Sequence, residues 1–350
     1  VSVELEITAL AAGGDGVGRE DSGRVVFVPR SAPGDRVRVR LVEEKPRMAR
    51  GEIVEVVRAS PDRVAPPCPH FAEGCGGCTW QHVARPAQLA AKQQIVAGAL
   101  RKLGVAIEAI ADPSPPYGWR RRARFHVAGG KLGLYKMASH DVLPIDRCPQ
   151  LEPELDEARR AYQPAGDGEV LLLRGHRGEI AIDSGEIEIE PGLRGSPRDF
   201  AQASASGNAA MVAIARAAVG PGPGRMLELY AGAGNFTRFF RADGWDVIAG
   251  DAERGGARGQ LERERGPFDA IVLDPPRTGA ADAVPGILRH APPRVVYISC
   301  DPATLARDAE RLVGGGYRAE RAWPVDVMPQ TAHVEVIMTL LRPSPSSPPR

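Results

Sequence analysis

The chain has 350 residues, of which 43% are apolar and 25% charged, with a formal net charge of +1. That length predicts two or three domains, and the near-neutral balance excludes a uniformly basic nucleic-acid coat, though not a local patch. No apolar run approaches the ~20 residues of a membrane span and no secretory-signal pattern stands at the start, so a cytoplasmic protein with reduced thiols, no membrane partner and a monomeric state is expected.

Residues 1–59 read as a small β-barrel. Val3-Glu4-Leu5-Glu6-Ile7 alternates at period two, Val25-Val26-Phe27-Val28 is a buried strand, and Val37 to Val42 alternates apolar and basic residues. Several short strands with glycine turns predict an OB-like closure, a shape used for oligonucleotides. The alternative is a structural barrel whose arginines are simply solvated.

Residues 60–195 open on a proline-rich linker and then a cysteine loop, Cys68-Pro69-His70-Phe71-Ala72-Glu73-Gly74-Cys75-Gly76-Gly77-Cys78. Three thiols on a tight glycine-bearing loop can wrap one corner of a 4Fe–4S cluster, with Cys148 of Cys148-Pro149 as the fourth ligand. Structural zinc is the rival, but zinc usually takes paired knuckles; His70 or His82 would have to help. A helix is expected from Arg85 to Leu103, stopped by Gly104. Between Arg101 and Lys136 there are eight Lys/Arg and two Asp/Glu. There Tyr117, Trp119 and Phe125 accompany Arg120, Arg121, Arg122 and Arg124, a pattern suited to phosphates and unpaired bases. Its plainer reading is a strand with solvated arginines. A pair of hairpins is expected between Gly166 and Ile189.

Residues 196–342 turn to a β-α-β rhythm. A helix is expected to open at Asp199-Phe200-Ala201-Gln202. Met226 to Tyr230 predicts a strand feeding Ala231-Gly232-Ala233-Gly234-Asn235, where a Gly-x-Gly turn lets a cofactor approach the backbone. Thr237 stands where a dinucleotide fingerprint needs its third glycine, and Glu228 suits a cationic ligand better than a pyrophosphate. A second strand ends at Asp251, where ribose hydroxyls would bind. Another ends in Asp274-Pro275-Pro276-Arg277. Val295 to Ser299 predicts a strand ending in Cys300, at the edge of an α/β sheet where reacting groups sit. The thiol is a candidate nucleophile; a buried structural cysteine is the alternative. Residues 343–350 read as a disordered Pro/Ser-rich tail.

These stretches together resemble the RNA uracil-5-methyltransferase family, in its TRAM-domain, iron–sulfur branch acting on 23S rRNA. The carriers are the Cys68/Cys75/Cys78 loop with Cys148, the Leu227 to Asn235 run, Asp274-Pro275-Pro276-Arg277, Ser299-Cys300 and Gln330-Thr331-Ala332-His333-Val334-Glu335. The resemblance implies a TRAM barrel, a central α+β cluster domain and a Rossmann-like methyltransferase domain. It also implies Cys300 as nucleophile, Glu335 as base, and S-adenosylmethionine held by Gln202, Tyr230, Asn235, Asp251 and Asp274. The sequence departs from the family in a C-x6-C spacing, in Ser204 and Asp301 where asparagines are usual, and in a short segment between Asp251 and Asp274. The competing expectations are methylation of the T-loop uridine of tRNA and a non-catalytic RNA-binding or assembly protein with a degenerate cofactor site.

Overall fold

The computed structural model describes residues 2–250 and 256–343. Strands β1 (Ser2–Leu10), β2 (Gly16–Arg19), β3 (Val25–Val28), β4 (Arg36–Glu44) and β5 (Met48–Arg58) close a barrel in the order β1-β2-β3-β5-β4. Period-two alternation sends Leu5, Ile7, Val26, Val28, Val37 and Val39 into one core. Gly51 lies under Val39, whose side chain would meet a Cβ there at 3.1 Å. On the outer face Arg36, Arg38 and Arg40 pair with Glu4, Glu55 and Glu52. The barrel's arginines are therefore largely neutralised by their neighbours.

After the short helix α1 (Pro69–Ala72) comes α2 (Arg85–Leu100), then a 3-10 turn (Arg101–Leu103) closed by Gly104 at φ +60, and β6 (Ala106–Ile107). The sequence places this stretch in the central unit, yet it packs elsewhere. Val96 and Leu100 join the core of the C-terminal sheet, and β6 extends that sheet at its edge. An apolar helical stripe has to be covered by the nearest apolar layer, and here that is the C-terminal one.

The central sheet has the order β11-β10-β7-β8-β9, with β7 (Arg122–Ala128), β8 (Lys131–Tyr135), β9 (Val142–Pro144), β10 (Gly168–Arg174) and β11 (Ile180–Ile182), all antiparallel. Helix α3 (Pro153–Ala161) covers it. The second expected hairpin does not join this sheet: β12 (Ile187–Glu190) pairs instead with β13 (Leu193–Gly195) as a separate ribbon.

The C-terminal domain contains α4 (Ala205–Val219), β14 (Gly224–Leu229), α5 (Thr237–Ala242), β15 (Trp245–Gly250), α6 (Gly256–Arg263), β16 (Ala270–Leu273), α7 (Val284–His290), β17 (Arg294–Ser299), α8 (Pro302–Gly314), β18 (Arg318–Val325) and β19 (Glu335–Leu341). Helix α4 begins at Ala205, not at Asp199, because Ser204 caps it: its Oγ accepts from Gly207 N at 3.0 Å. Sheet order is β15-β14-β16-β17-β19-β18-β6. The strands from β15 to β17 are parallel and β19 is antiparallel to β17. Helices α2, α6, α7 and α8 cover one face, α4 and α5 the other. Strand β15 is the sheet's edge, and among the described residues only α6 stands between it and β16, as the short segment predicts. No helix among the described residues is long and apolar enough to cross a membrane.

Candidate active site

Strand order reverses between β14 and β16, and in such sheets ligands sit outside the carboxyl ends at that point. The loop after β14 is shaped for close approach: Tyr230, Gly232 and Gly234 have φ of +60, +52 and +87. Glu228, buried just before it, accepts from Thr237 Oγ1 at 2.6 Å. The residue occupying the third-glycine position thus holds a carboxylate instead. Asn235 is locked by a reciprocal amide pair, donating from Nδ2 to Asn208 Oδ1 at 2.7 Å and accepting from Asn208 Nδ2 at 3.1 Å. Asn208 in turn donates to Glu190, which Arg121 also holds at 2.5 Å. Sequence reasoning passed over Asn208, because its partner lies 27 residues away.

Burial, then the nearby Asp282 carboxylate, push the Tyr230 hydroxyl up. Gln202 is half-buried, and its carbonyl accepts from Arg121 Nε at 3.1 Å. Asp251 lies outside the described residues. Asp274, at the end of β16, has its carboxyl raised to about 7 by burial and the Glu228 charge; burial raises Glu228 to about 7 as well.

Cys300 follows β17 directly, and Asp301 behind it caps α8 by accepting from Ala303 N and Thr304 N at 2.9 Å each. Aspartate therefore serves the capping role an asparagine would serve. Ser299 Oγ donates to Asp301 O and accepts from Asp301 N, fixing the turn. Because β19 runs antiparallel, its first residue sits at the carboxyl edge of the parallel strands. Ser299 pairs with Val336, so the next step of the ladder sets Cys300 beside Glu335. Burial, then the charges of Glu335 and Asp274, push the Cys300 thiol up to about 11, and Arg277 opposes them. Glu335 is raised to about 8 by burial and Asp274, again opposed by Arg277. Arg277 Nη2 lies 3.3 Å from His333 Nε2, and burial together with Arg277 lowers His333 to about 4, leaving its ring neutral at pH 7. The Asp-Pro-Pro-Arg motif was legible, but Arg277's place between thiol, base and histidine was not. A buried cluster of carboxylates around a thiol, with one arginine at its rim, suits a cationic ligand and a base poised near neutrality.

The cysteine loop forms a second centre. Cys68, Cys75, Cys78 and Cys148 line one cavity together with Trp119, Arg120, Gln150 and Thr331. All four thiols are free, and burial raises Cys75, Cys148 and Cys78, the last to about 12. Gly77 N donates to Cys75 Sγ at 3.4 Å, and a Cβ at Gly76 would meet Tyr135 O at 2.9 Å. Several buried polar atoms of the lining have no partner: Trp119 Nε1, Arg120 Nε, and both amide atoms of Gln150. The donor set and these orphaned atoms fit a thiolate-held group larger than one ion. No three His, Cys, Asp or Glu side chains among the described residues are grouped to hold a metal ion. Of the two histidines, His70 engages Glu73 through Nδ1 and Asp146 N through Nε2, while His82 Nε2 meets Ser31 O and its Nδ1 has no hydrogen-bond partner.

The expected stacking surface needs correction. Trp119 and Phe125 are buried in the structure, with Arg120 over the first ring and Arg159 over the second. Arg121 is buried as well. Phe125 lies in the core of the central sheet and Trp119 lines the cysteine cavity, so neither ring can stack on bases, while Tyr117 is only half-buried; Arg124 is exposed and pairs with Glu169, and Arg101, Lys102, Lys131 and Lys136 are exposed too.

A parallel sheet with its switch point, a carboxylate-lined glycine loop and a strand-end thiol define a Rossmann-like methyltransferase domain joined to an OB-like barrel. The TRAM domain model matches residues 2–54, and the model described as tRNA (Uracil-5-)-methyltransferase matches residues 260–343. The 23S rRNA (uracil(1939)-C(5))-methyltransferase RlmD of Edwardsiella ictaluri is 33% identical over 411 aligned positions, covering 94% of this chain and 93% of that protein. RlmD of Pseudomonas entomophila is 32% identical, covering 95% and 92%. The chain belongs to the RNA (uracil-5-)methyltransferase family. Its fold is also that of the Pyrococcus abyssi tRNA (uracil-54, C5)-methyltransferase in complex with S-adenosyl-L-homocysteine, with a TM-score of 0.74 at 22% identity, covering 97% and 100%.

Proposed function

We propose that this protein transfers a methyl group from S-adenosylmethionine to carbon 5 of a uridine in 23S rRNA, with Cys300 as nucleophile and Glu335 as base. The observation that carries the reading is that Cys300, one residue past the Ser299–Val336 pair, lies near Glu335 at the start of β19, with the Asp274 charge also acting on the thiol. Carbon 5 of uracil is too weak a nucleophile to be methylated unaided. Addition of the Cys300 thiolate to carbon 6 moves electron density to carbon 5, which then takes the methyl group from the sulfonium and releases S-adenosylhomocysteine. Glu335 removes the carbon-5 proton, the carbon–sulfur bond breaks, and the thiolate is restored. The target base has to be unpaired or flipped to reach the thiol.

Gln202, Tyr230, Asn235, Asp251 and Asp274 are the proposed cofactor contacts, with Glu228 adding negative charge near the sulfonium. Asn208→Ala would free Asn235. The expected result is a roughly fivefold weaker Kd for S-adenosylhomocysteine by calorimetry, the ~1 kcal/mol of one lost hydrogen-bonded pair. An unchanged Kd would count against Asn235 as a contact.

Cys68, Cys75, Cys78 and Cys148 are the proposed ligands of a 4Fe–4S cluster, supported by four thiols on one cavity. The cluster's chemistry would be structural, since methyl transfer has no redox step. The rRNA substrate is favoured over tRNA by the RlmD relatives at 32–33% identity. The test offers purified protein and labelled S-adenosylmethionine with unmodified 23S rRNA or tRNA, and maps the product by mass. Label at one rRNA uridine is expected; label only in the tRNA T-loop would replace the substrate, and none in either RNA would remove the activity.

A further inference from the structure

The loop between β18 and β19 delivers Glu335, and it is gripped from outside its own domain. Gln330, five residues before the base, has φ +67, a conformation costly for a residue with a side chain. Its carbonyl accepts two backbone bonds, from Thr79 N at 3.1 Å and Trp80 N at 3.0 Å, the residues directly after Cys78. Its own amide and side chain pair with Gln88: Gln330 N donates to Gln88 Oε1 at 3.1 Å, and Gln88 Nε2 donates to Gln330 Oε1 at 2.9 Å. Gln88 Nε2 also reaches Trp80 O at 3.0 Å, so one buried amide clasps both segments.

The neighbouring residues hold the same joint. Thr331 lines the cysteine cavity, and Ala332 packs in one cluster with Trp80, Val83 and Ala91. At the loop's start, fully buried Lys92 donates to Asp326 at 2.6 Å and to Met328 O at 3.1 Å, and Arg85 holds the other Asp326 oxygen at 2.5 Å. Such a buried, densely hydrogen-bonded knot has few alternative arrangements. Nothing in it touches the reacting atoms.

We infer that Gln330 and Gln88 are positioning residues that couple the cysteine loop to the catalytic base, so that ordering of the four-thiol centre sets the place of Glu335. This rests on the proposed roles of Cys300 and Glu335. The step most sensitive to that place is removal of the carbon-5 proton, which follows methyl transfer. A displaced base leaves the methylated uridine attached through the Cys300 carbon–sulfur bond.

The experiment compares wild type with Gln88→Leu and Gln330→Ala, using an rRNA fragment and S-adenosylmethionine, and quantifies protein–RNA adduct on denaturing gels beside kcat, KM and RNA affinity. In both variants kcat is expected to fall about tenfold or more while RNA affinity stays within about twofold, with adduct at least about fivefold above wild type. A fall in kcat without added adduct, or an unchanged kcat, overturns the coupling. Should a variant not fold, hydrogen exchange on wild type decides. Chelation of the cysteine-held group is expected to speed exchange across residues 326–336 by about tenfold or more, and unchanged exchange overturns the coupling. A wild type that never forms a Cys300 adduct defeats the proposed function instead.

Discussion

Cys300→Ala lowers 5-methyluridine formation by at least about four orders of magnitude, the scale on which loss of a nucleophile removes a mechanism as a unit. The size follows from the substrate. Without a sulfur on carbon 6 there is no enolate, and carbon 5 cannot attack the sulfonium. Folding should survive, because Cys300 is half-buried at a strand end and contributes to none of the apolar clusters. The turn behind it is held by Ser299 and Asp301, which the substitution leaves in place. RNA affinity and the melting temperature are the controls. A variant that keeps even about 1% of wild-type turnover would place the nucleophile elsewhere, since activities that low still exceed an unactivated uracil.

Glu335→Gln gives the second large effect, and it acts in two directions. Turnover falls by about three orders of magnitude or more because the carbon-5 proton has no acceptor, while the covalent RNA complex accumulates. Stability moves the other way. Glu335 is raised to about 8 by burial and Asp274. A carboxyl whose folded value exceeds its unfolded one favours the native state below the unfolded value, and that contribution is lost as pH rises through about 8. Ionisation therefore strains the cofactor-free protein between about pH 5 and 8, and an amide at this position does not ionise. At pH 8 the variant should be more stable than wild type by about 4 kcal/mol, with the difference falling below about 1 kcal/mol near pH 5. Thermal melts at the two pH values check this. The same shift predicts that wild-type kcat rises toward pH 8 as the base ionises, and a flat kcat profile would deny Glu335 that role.

Much of the fold was legible in the sequence because its signals are local. Period-two alternation named the barrel strands, and the Gly-x-Gly turn after Tyr230 marked the loop at the end of β14. That only α6 lies between β15 and β16 among the described residues agrees with the short segment between Asp251 and Asp274. What failed depended on distant partners. The basic strand looked like a stacking surface because alternation cannot say which face is covered, and α3 covers the face of Phe125. Helix α2 was placed in the central unit by its position in the chain, yet its stripe is buried against a sheet more than 100 residues away. Of the candidate site, Cys300, Glu335, Asp274 and the four clustered cysteines were visible as motifs. Asn208 and Gln88 were not, and Arg277 and Gln330 stood in the motifs without their roles, since those roles exist only through partners brought together by folding.

The central claim is a covalent bond between Cys300 and carbon 6 of one uridine in 23S rRNA. It is tested most directly with an rRNA fragment in which uridine is replaced by 5-fluorouridine. Fluorine at carbon 5 cannot be taken by a base, so the methylated adduct has no exit. Incubation with S-adenosylmethionine, followed by nuclease and protease digestion and mass spectrometry, should yield one modified peptide. That peptide should carry a methylated 5-fluorouridine nucleotide on Cys300. A nucleotide on another residue, or no adduct although the RNA becomes methylated when it carries ordinary uridine, would contradict the account.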